Sequence, residues 1–432
     1  MPFEYLAGAP RKIAVVGGGI SGMGAANLLA ANHRVTLFEA EQRLGGHART
    51  VIAGKRGNQP VDTGFIVFNK VTYPNLVQLF RQLNVPVVQS NMSFGVSARG
   101  GAVEYALNNL DALFAQRRNL WHPRFLRMVS DLLRFNSKAL QYADDHNLTV
   151  GDLLDRLGTG DWFRSYYLEP FSGAIWSLPG DKVLEFPAHA MIRFFDNHLL
   201  LDNRRDHVWY TVQGGSVEYV KRLTASMGGK GVGLRLNTHV NAVRRTPEGP
   251  QVKTAGGDWE IFDEVVFATH SDDTLRLLSD AAPSERDALS PIRYQTNRAV
   301  LHADTSLMPV RRKCWASWVH TQDIHAQSRE TDVTYWMNSL QRIPHDDPLF
   351  VTLNSRRRIR EELIFDEAVF QHPIFDLPAL LAQQRIKKFN GSNRTWFCGA
   401  WMGNGFHEDG LASAVAVAEA IDNQVAGPIA AE

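Results

Sequence analysis

The sequence predicts an α/β fold: a Rossmann-type nucleotide-binding domain with an α+β domain inserted into it. Three observations point there. Near the N-terminus a glycine-rich turn joins a short β-branched run to an Ala/Leu-rich run, and an acidic residue follows about 20 residues later. Segments suited to the same nucleotide fold return in the middle and at the end of the chain. Between them lie two long stretches of different character, one helical in pattern and one alternating.

The elements follow in order through "KIAVVGGGISGMGAANLLAANHRVTLFEA". Ile13 to Val16 is a β-branched run suited to a buried parallel strand. Gly17, Gly19 and Gly22 then stand in GxGxxG spacing, Met23 to Ala31 reads as a helix, and Val35 to Phe38 reads as a second strand that ends at Glu39. Gly17 permits the tight strand-to-helix turn. Gly19, without a Cβ, lets a pyrophosphate approach the backbone, and Gly22 lets helix and strand pack closely. The N-terminus of the helix then faces the phosphates with free N–H groups and a partial positive charge. Glu39 is placed to accept hydrogen bonds from a ribose diol. Its charge repels a 2′-phosphate, which disfavours NADP.

At 432 residues the chain exceeds one compact core, so two domains are expected. Lys plus Arg (46) nearly balances Asp plus Glu (45), which gives no general attraction to nucleic acid. Two cysteines, Cys314 and Cys398, form no CxxC pair, and a reducing cytoplasm is the expected setting. The fifteen histidines are scattered without an HExxH or a Cys-His cluster, so no metal site is expected. The N-terminus lacks the apolar run of a secretory signal, no window is long and apolar enough to span a membrane, and "AGPIAAE" reads as a frayed tail. "MGGKGVG", Met227 to Gly233, follows a helical run and precedes a strand. That is the reverse of a Rossmann turn, and it reads as a helix end and loop rather than a second nucleotide site.

After Glu39 come "AEQRLGGHART" and then "VDTGFIVFN". With Glu39, Arg43, Gly45 and Gly46, this resembles the FAD-binding signature of the flavin amine oxidase superfamily, which includes phytoene desaturases and protoporphyrinogen oxidases. The resemblance continues in "WYTVQGGSVEYVKRL", "LNTHVNAVRR", "DEVVFATHSDDTLRLL" and the C-terminal "RTWFCGAWMGNGFHEDGLASA". It is nearest to bacterial predicted FAD-binding proteins associated with cyclopropane fatty acid synthases. The family's pattern implies FAD contacts at Gly17, Gly19, Ile20, Ser21, Gly22, Glu39, Ala40, Arg43, Gly45, Gly46, His47, Thr63, Gly64, Phe65 and Ile66. It implies others at Val240 by the adenine, at Ala268, at Gly399 and Ala400, and at Gly410, Leu411 and Ala412, whose N–H groups would face the flavin. Glu408 and Asp409 precede this last helix and are expected to cap it. Two departures stand out: His47 replaces the family's usual Arg, and Ala400 replaces an acid that usually contacts the ribityl chain. Some relatives hold flavin covalently through Cys or His, for which Cys398 or His47 would serve. Non-covalent FAD is the expectation here.

The resemblance implies a discontinuous FAD domain at 1–95, 207–275 and 390–427, and a substrate domain at 96–206 and 276–389. It implies an amine oxidase-like two-domain fold and hydride removal from a C–H bond. Phe406 and His407 are the candidate catalytic residues. Phe406 stands near one position of the family's aromatic pair, and with Trp401 and Met402 it suggests an apolar substrate. Three readings stay open: a dehydrogenase or desaturase of a lipid-derived substrate, an amine oxidase, and a non-redox flavoprotein that is an isomerase or the partner of a lipid-modifying enzyme such as a cyclopropane fatty acid synthase. Asn108 to Ala143 sets Leu, Phe and Trp beside six basic residues. Two readings fit it: a helix of the substrate domain with its apolar face on the core, and an interfacial helix that holds a cytoplasmic protein at the inner membrane surface.

Overall fold

The computed structural model describes residues 9–176, 180–197, 200–201, 208–322 and 332–425. The readings of the N-terminal residues 1–8, of the tail 426–432 and of the domain boundary at 206/207 lie outside these residues. Five strands form a wholly parallel sheet: β1 (Lys12–Val16), β2 (Arg34–Phe38), β3 (Gly233–Arg235), β4 (Glu264–Phe267) and β5 (Thr395–Phe397), in the order β3-β2-β1-β4-β5. Ile13, Ala14, Val15, Val265, Val266 and Phe267 are fully buried, as strands covered on both faces must be. Five helices matter below: α1 (Ile20–Leu29), α2 (Pro74–Gln82), α3 (Pro123–Lys138), α4 (Val217–Gly229) and α5 (His407–Val425).

Helix α1 begins at Ile20, not Met23, so Ser21 and Gly22 belong to its first turn. A Cβ on Gly22 would lie 1.8 Å from the Gly17 carbonyl oxygen, which is the close helix–strand approach that glycine was expected to allow. The "MGGKGVG" stretch is the end of α4 and a turn: Gly231 sits at φ +77° and the Val232 N–H returns to the Met227 carbonyl at 3.0 Å.

A seven-stranded sheet carries the second body. Its strands run in the order 364–373, 294–302, 350–353, 332–336, 318–322, 94–98 and 103–106. All neighbours are antiparallel except 94–98 and 318–322, which pair in parallel. The boundary expected at 95/96 falls within the strand Phe94–Ala98 of this sheet. Helix α3 packs Phe125, Met128 and Phe135 inward and leaves Leu126 and Leu133 exposed. No helix among the described residues is long and apolar enough to cross a membrane.

Candidate functional site

A cavity of about 1030 Å³ runs from the β1–α1 turn to the face of the seven-stranded sheet. Of the residues expected at a cofactor, Gly17, Gly19, Ile20, Ser21, Glu39, Ala40, Arg43, Gly45, Gly46, His47, Thr63, Gly64, Phe65, Ile66, Val240, Ala268, Gly399 and Ala400 line it. Phe406 and His407 line it too. Gly22, Gly410, Leu411 and Ala412 do not.

The dinucleotide end is built from backbone. Gly19 is in extended conformation at φ −75°, and a Cβ there would meet nothing within 4 Å, so the space beside the α1 N-terminus is open. Gly17 is at φ +107°, where a Cβ would strike the Ala268 carbonyl at 2.8 Å. Glu39 accepts the Gly18 N–H at 2.6 Å and the Glu41 N–H at 2.8 Å, which fixes its carboxylate at the rim. Arg43 donates to the carbonyls of Gly46 (3.0 Å) and Ala48 (3.2 Å), so it braces the turn that carries Gly45 and Gly46. The Thr63 and Phe65 N–H groups bond the Arg49 and His47 carbonyls at 2.9 and 3.0 Å, and a Cβ on Gly64 would lie 1.9 Å from the His47 carbonyl oxygen. Open space at a helix N-terminus, glycines against it and a carboxylate on its rim fit a pyrophosphate and ribose. Glu39→Ala is therefore expected to weaken dinucleotide retention by about 10- to 100-fold, or roughly 1.5–3 kcal/mol. Equilibrium dialysis of the cofactor-stripped chain measures this; unchanged affinity would remove Glu39 from the site.

The C-terminal segment corrects two expectations. Gly405, at φ +90°, turns the chain so that α5 starts at His407. First-turn N–H groups, which have no intrahelical acceptor, therefore begin at His407 rather than at Gly410–Ala412. The Gly410 N–H is already bonded to the Phe406 carbonyl at 3.1 Å. Leu411 is buried against α1, where a Cβ on Gly24 would touch its Cδ1 at 2.6 Å. The two acids also divide their work. Asp409 caps its own helix by accepting the Phe406 N–H at 2.9 Å. Glu408 caps a different helix: it accepts the N–H groups of Asn75 and Leu76, both at 3.0 Å, and the Asn75 side-chain amide at 2.7 Å, at the start of α2. A Cβ on Gly410 would lie 2.7 Å from Ser21 Oγ and 3.1 Å from Ile20 Cγ2. Gly410→Val is thus expected to cost roughly 1–3 kcal/mol of stability by overpacking the α1–α5 contact. Urea titration of that variant reads the effect directly.

The far end of the cavity is aromatic, and the charged side chains on it are paired. His407 stacks on Phe65 with ring centres 3.8 Å apart, and its Nε2 lies 3.0 Å from the Tyr219 hydroxyl. Phe406 stacks on Phe194 at 5.6 Å. His47 faces Phe370, His372 and His270 at 5.1, 5.5 and 5.8 Å between ring centres, and its Nε2 is closed to solvent without a partner. Burial pushes the imidazoles of His47 and His407 down to about 3 and that of His372 to about 4; neighbouring imidazoles push His47 and His372 further the same way. All three are neutral at pH 7. Glu367 on this wall pairs with Arg298 at 2.5 Å, and Arg49 on it is held by Asp366 at 2.5 Å. Cys398 is buried behind β5 and does not line the cavity.

Sequence reasoning missed Arg49, His270, Phe370 and His372 as lining residues. One signal was available. Ala368, Phe370 and His372 occupy alternate positions of strand 364–373, so they share one face of the sheet.

The comparisons with known proteins agree with this architecture. The family described as flavin containing amine oxidoreductase matches residues 20–348. The L-amino-acid oxidase of Vipera ammodytes ammodytes is 49% identical over 49 residues, which cover 11% of this chain and 10% of that protein. The match thus spans only a tenth of the length of that curated relative. The solved CLA-producing fatty acid isomerase from P. acnes superposes with a TM-score of 0.66 at 14% identity, covering 95% of this chain and 98% of that one. Cyclohexylamine oxidase from Brevibacterium oxydans gives 0.68 at 14% identity, covering 96% and 99%. At such identities these structures show a shared fold.

Proposed function

The chain belongs to the flavin-containing amine oxidoreductase family, and from that premise we propose that it is an FAD-dependent oxidoreductase that takes a hydride equivalent from a C–H bond of an apolar, acyl-chain substrate. The observation that carries the substrate class is the far wall of the cavity. Trp318, Tyr335, Val351, Leu353 and Phe370 line it, its histidines are neutral, and its charged side chains are paired. An alkylammonium ion would find no free negative charge on this wall among the described residues.

FAD is held without a covalent bond in this reading. The α1 N-terminus receives the pyrophosphate, Glu39 the adenosine ribose, and the partnerless Nε2 of His47 a polar atom of the ligand. Bound flavin supplies the hydride-accepting chemistry. The protein's part is placement and exclusion of water. The aromatic wall aligns an acyl chain, and His407, pinned between Phe65 and Tyr219, keeps its ring neutral and fixed beside it. A protein that works on acyl chains would serve alongside a lipid-modifying enzyme such as a cyclopropane fatty acid synthase.

Anaerobic titration tests the assignment. Fatty acids and modified fatty acids are expected to bleach the flavin absorbance, whereas primary and cyclic amines are not. Bleaching by amines alone would replace this reading with an amine oxidase. Positional isomerisation of an unsaturated acid without net bleaching would favour a non-redox isomerase, the activity for which the similar P. acnes structure is named. Yellow colour that stays with the acid-precipitated chain would end the non-covalent assignment.

A further inference from the structure

Away from this cavity, one face combines exposed apolar side chains with unneutralised positive charge. Trp121 and Val310 are each 85% exposed and Leu110 is 74% exposed. Such exposure of large apolar groups on one face marks an interaction surface. Contacts tie them together. The 3-10 turn Arg117–Trp121 leads into α3, Arg118 donates to the Ala102 carbonyl, and Gln116 donates to the Gly101 carbonyl at 2.8 Å. Val310 lies over Gly101, and Lys313 pairs with Asp111, which also pairs with Arg117. One exposed carboxylate, Asp111, therefore serves two cations. Beside this face opens a second cavity of about 370 Å³, with Arg99, Arg124 and Arg127 on its wall against two carboxylates, Asp131 and Asp161, and with Trp162 and Tyr166. The buried Asp131 is shared by Arg127 (3.8 Å) and Arg134 (3.0 Å). Arg99 and Arg124 have no carboxylate partner among the described residues.

We infer that this face docks on an anionic phospholipid bilayer, with Leu110, Trp121 and Val310 entering the headgroup–acyl boundary and the Arg99–Arg124–Arg127 cavity receiving a lipid phosphate. The sequence suggested the stretch Asn108 to Ala143 as an interfacial helix, but the structure divides it among several short elements and α3. The structure buries Phe125, Met128 and Phe135 of α3, and joins the exposed Trp121 at its start to the 99–102 and 310–313 loops. Charge complementarity selects the partner. Cations around a bulky aromatic suit a surface that is both negative and apolar in depth, whereas nucleic acid offers nothing to Leu110 or Val310. The surface stands apart from the substrate reading, since vesicle binding is measured without turnover.

Flotation of the full-length FAD-loaded protein tests it, with phosphatidylglycerol/phosphatidylcholine vesicles against pure phosphatidylcholine. Binding to the anionic vesicles is expected at low salt and is expected to fall as salt rises. Arg99→Glu with Arg124→Glu should weaken it by at least about 25-fold, at about fivefold per charge removed. Trp121→Ser should weaken it by about tenfold, and both variants should keep wild-type FAD content and melting temperature. Three results would overturn the inference: no binding to anionic vesicles at low salt, binding by both variants equal to wild type, or retention on nucleic acid or soluble glycerol phosphate without vesicle binding.

Discussion

Gly19→Leu is expected to yield a folded protein that does not hold its flavin. The two halves of that expectation come from different features of one residue. Gly19 sits at φ −75° and ψ −175°, a region every L-residue adopts without strain, and a Cβ there would meet no protein atom within 4 Å. Folding therefore has no reason to fail. The same open space borders the N-terminus of α1, where the N–H groups would meet the pyrophosphate. Four side-chain carbons placed there fill the site, and affinity should fall by about 1000-fold or more, roughly 4 kcal/mol. Gly22→Ala, three residues away, is the control with the opposite outcome. Its Cβ would lie 1.8 Å from the Gly17 carbonyl oxygen, so α1 must move off β1 and stability should drop. Far-UV circular dichroism and released flavin, read on both variants, separate the two. A yellow Gly19→Leu protein with bound FAD would remove the dinucleotide from this turn.

These glycines show what local sequence can carry. The β1–α1–β2 unit was legible because every constraint on it is short-range: glycine spacing, a buried β-branched run, and an acid at the end of the next strand. The last helix was legible as a helix but not in its phase. Its start depends on the left-handed conformation of Gly405 and on Asp409 reaching back to the Phe406 N–H, and the Ala-rich run that follows gives the helix no periodicity to fix where it begins. Glu408 was harder still. Its three donors lie at Asn75 and Leu76, more than 300 residues earlier, and no local pattern announces a carboxylate that caps a distant helix. The imidazoles of His47, His270 and His372 meet for the same reason: the loop after β2, the segment just past β4 and a strand of the other sheet converge only through topology.

Those histidines make acid the condition under which this fold should fail. Burial lowers His302, His320 and His372 to about 4, and His47 and His407 to about 3. In the unfolded chain all five titrate near 6.5, so below that pH unfolding takes up a proton at each. A lowered imidazole therefore contributes stability at neutral pH that is lost as pH falls from about 6.5 toward 4. Two carboxyls act in the opposite direction. Burial raises Asp62 and Asp409 to about 6, against hydrogen bonds that partly offset it, so each prefers to hold its proton when folded and favours the fold as pH drops from 6 to 4. The imidazoles outnumber the carboxyls, and near pH 5 unfolding binds a net of roughly three protons, equivalent to about 4 kcal/mol per pH unit. His47, His372 and His407 border the cavity, where solvent softens the penalty, but halving their share leaves the balance positive. The urea midpoint of the flavin-loaded protein is thus expected to fall steeply between pH 6.5 and 5. His320 is the cleanest probe: its lowering has burial as its sole cause, and its Nδ1 has no partner. His320→Asn should flatten the profile by about one proton's slope, or about 1.4 kcal/mol per pH unit. A midpoint that holds constant from pH 7 to 5 would mean that these imidazoles reach water and carry their protons in the folded state.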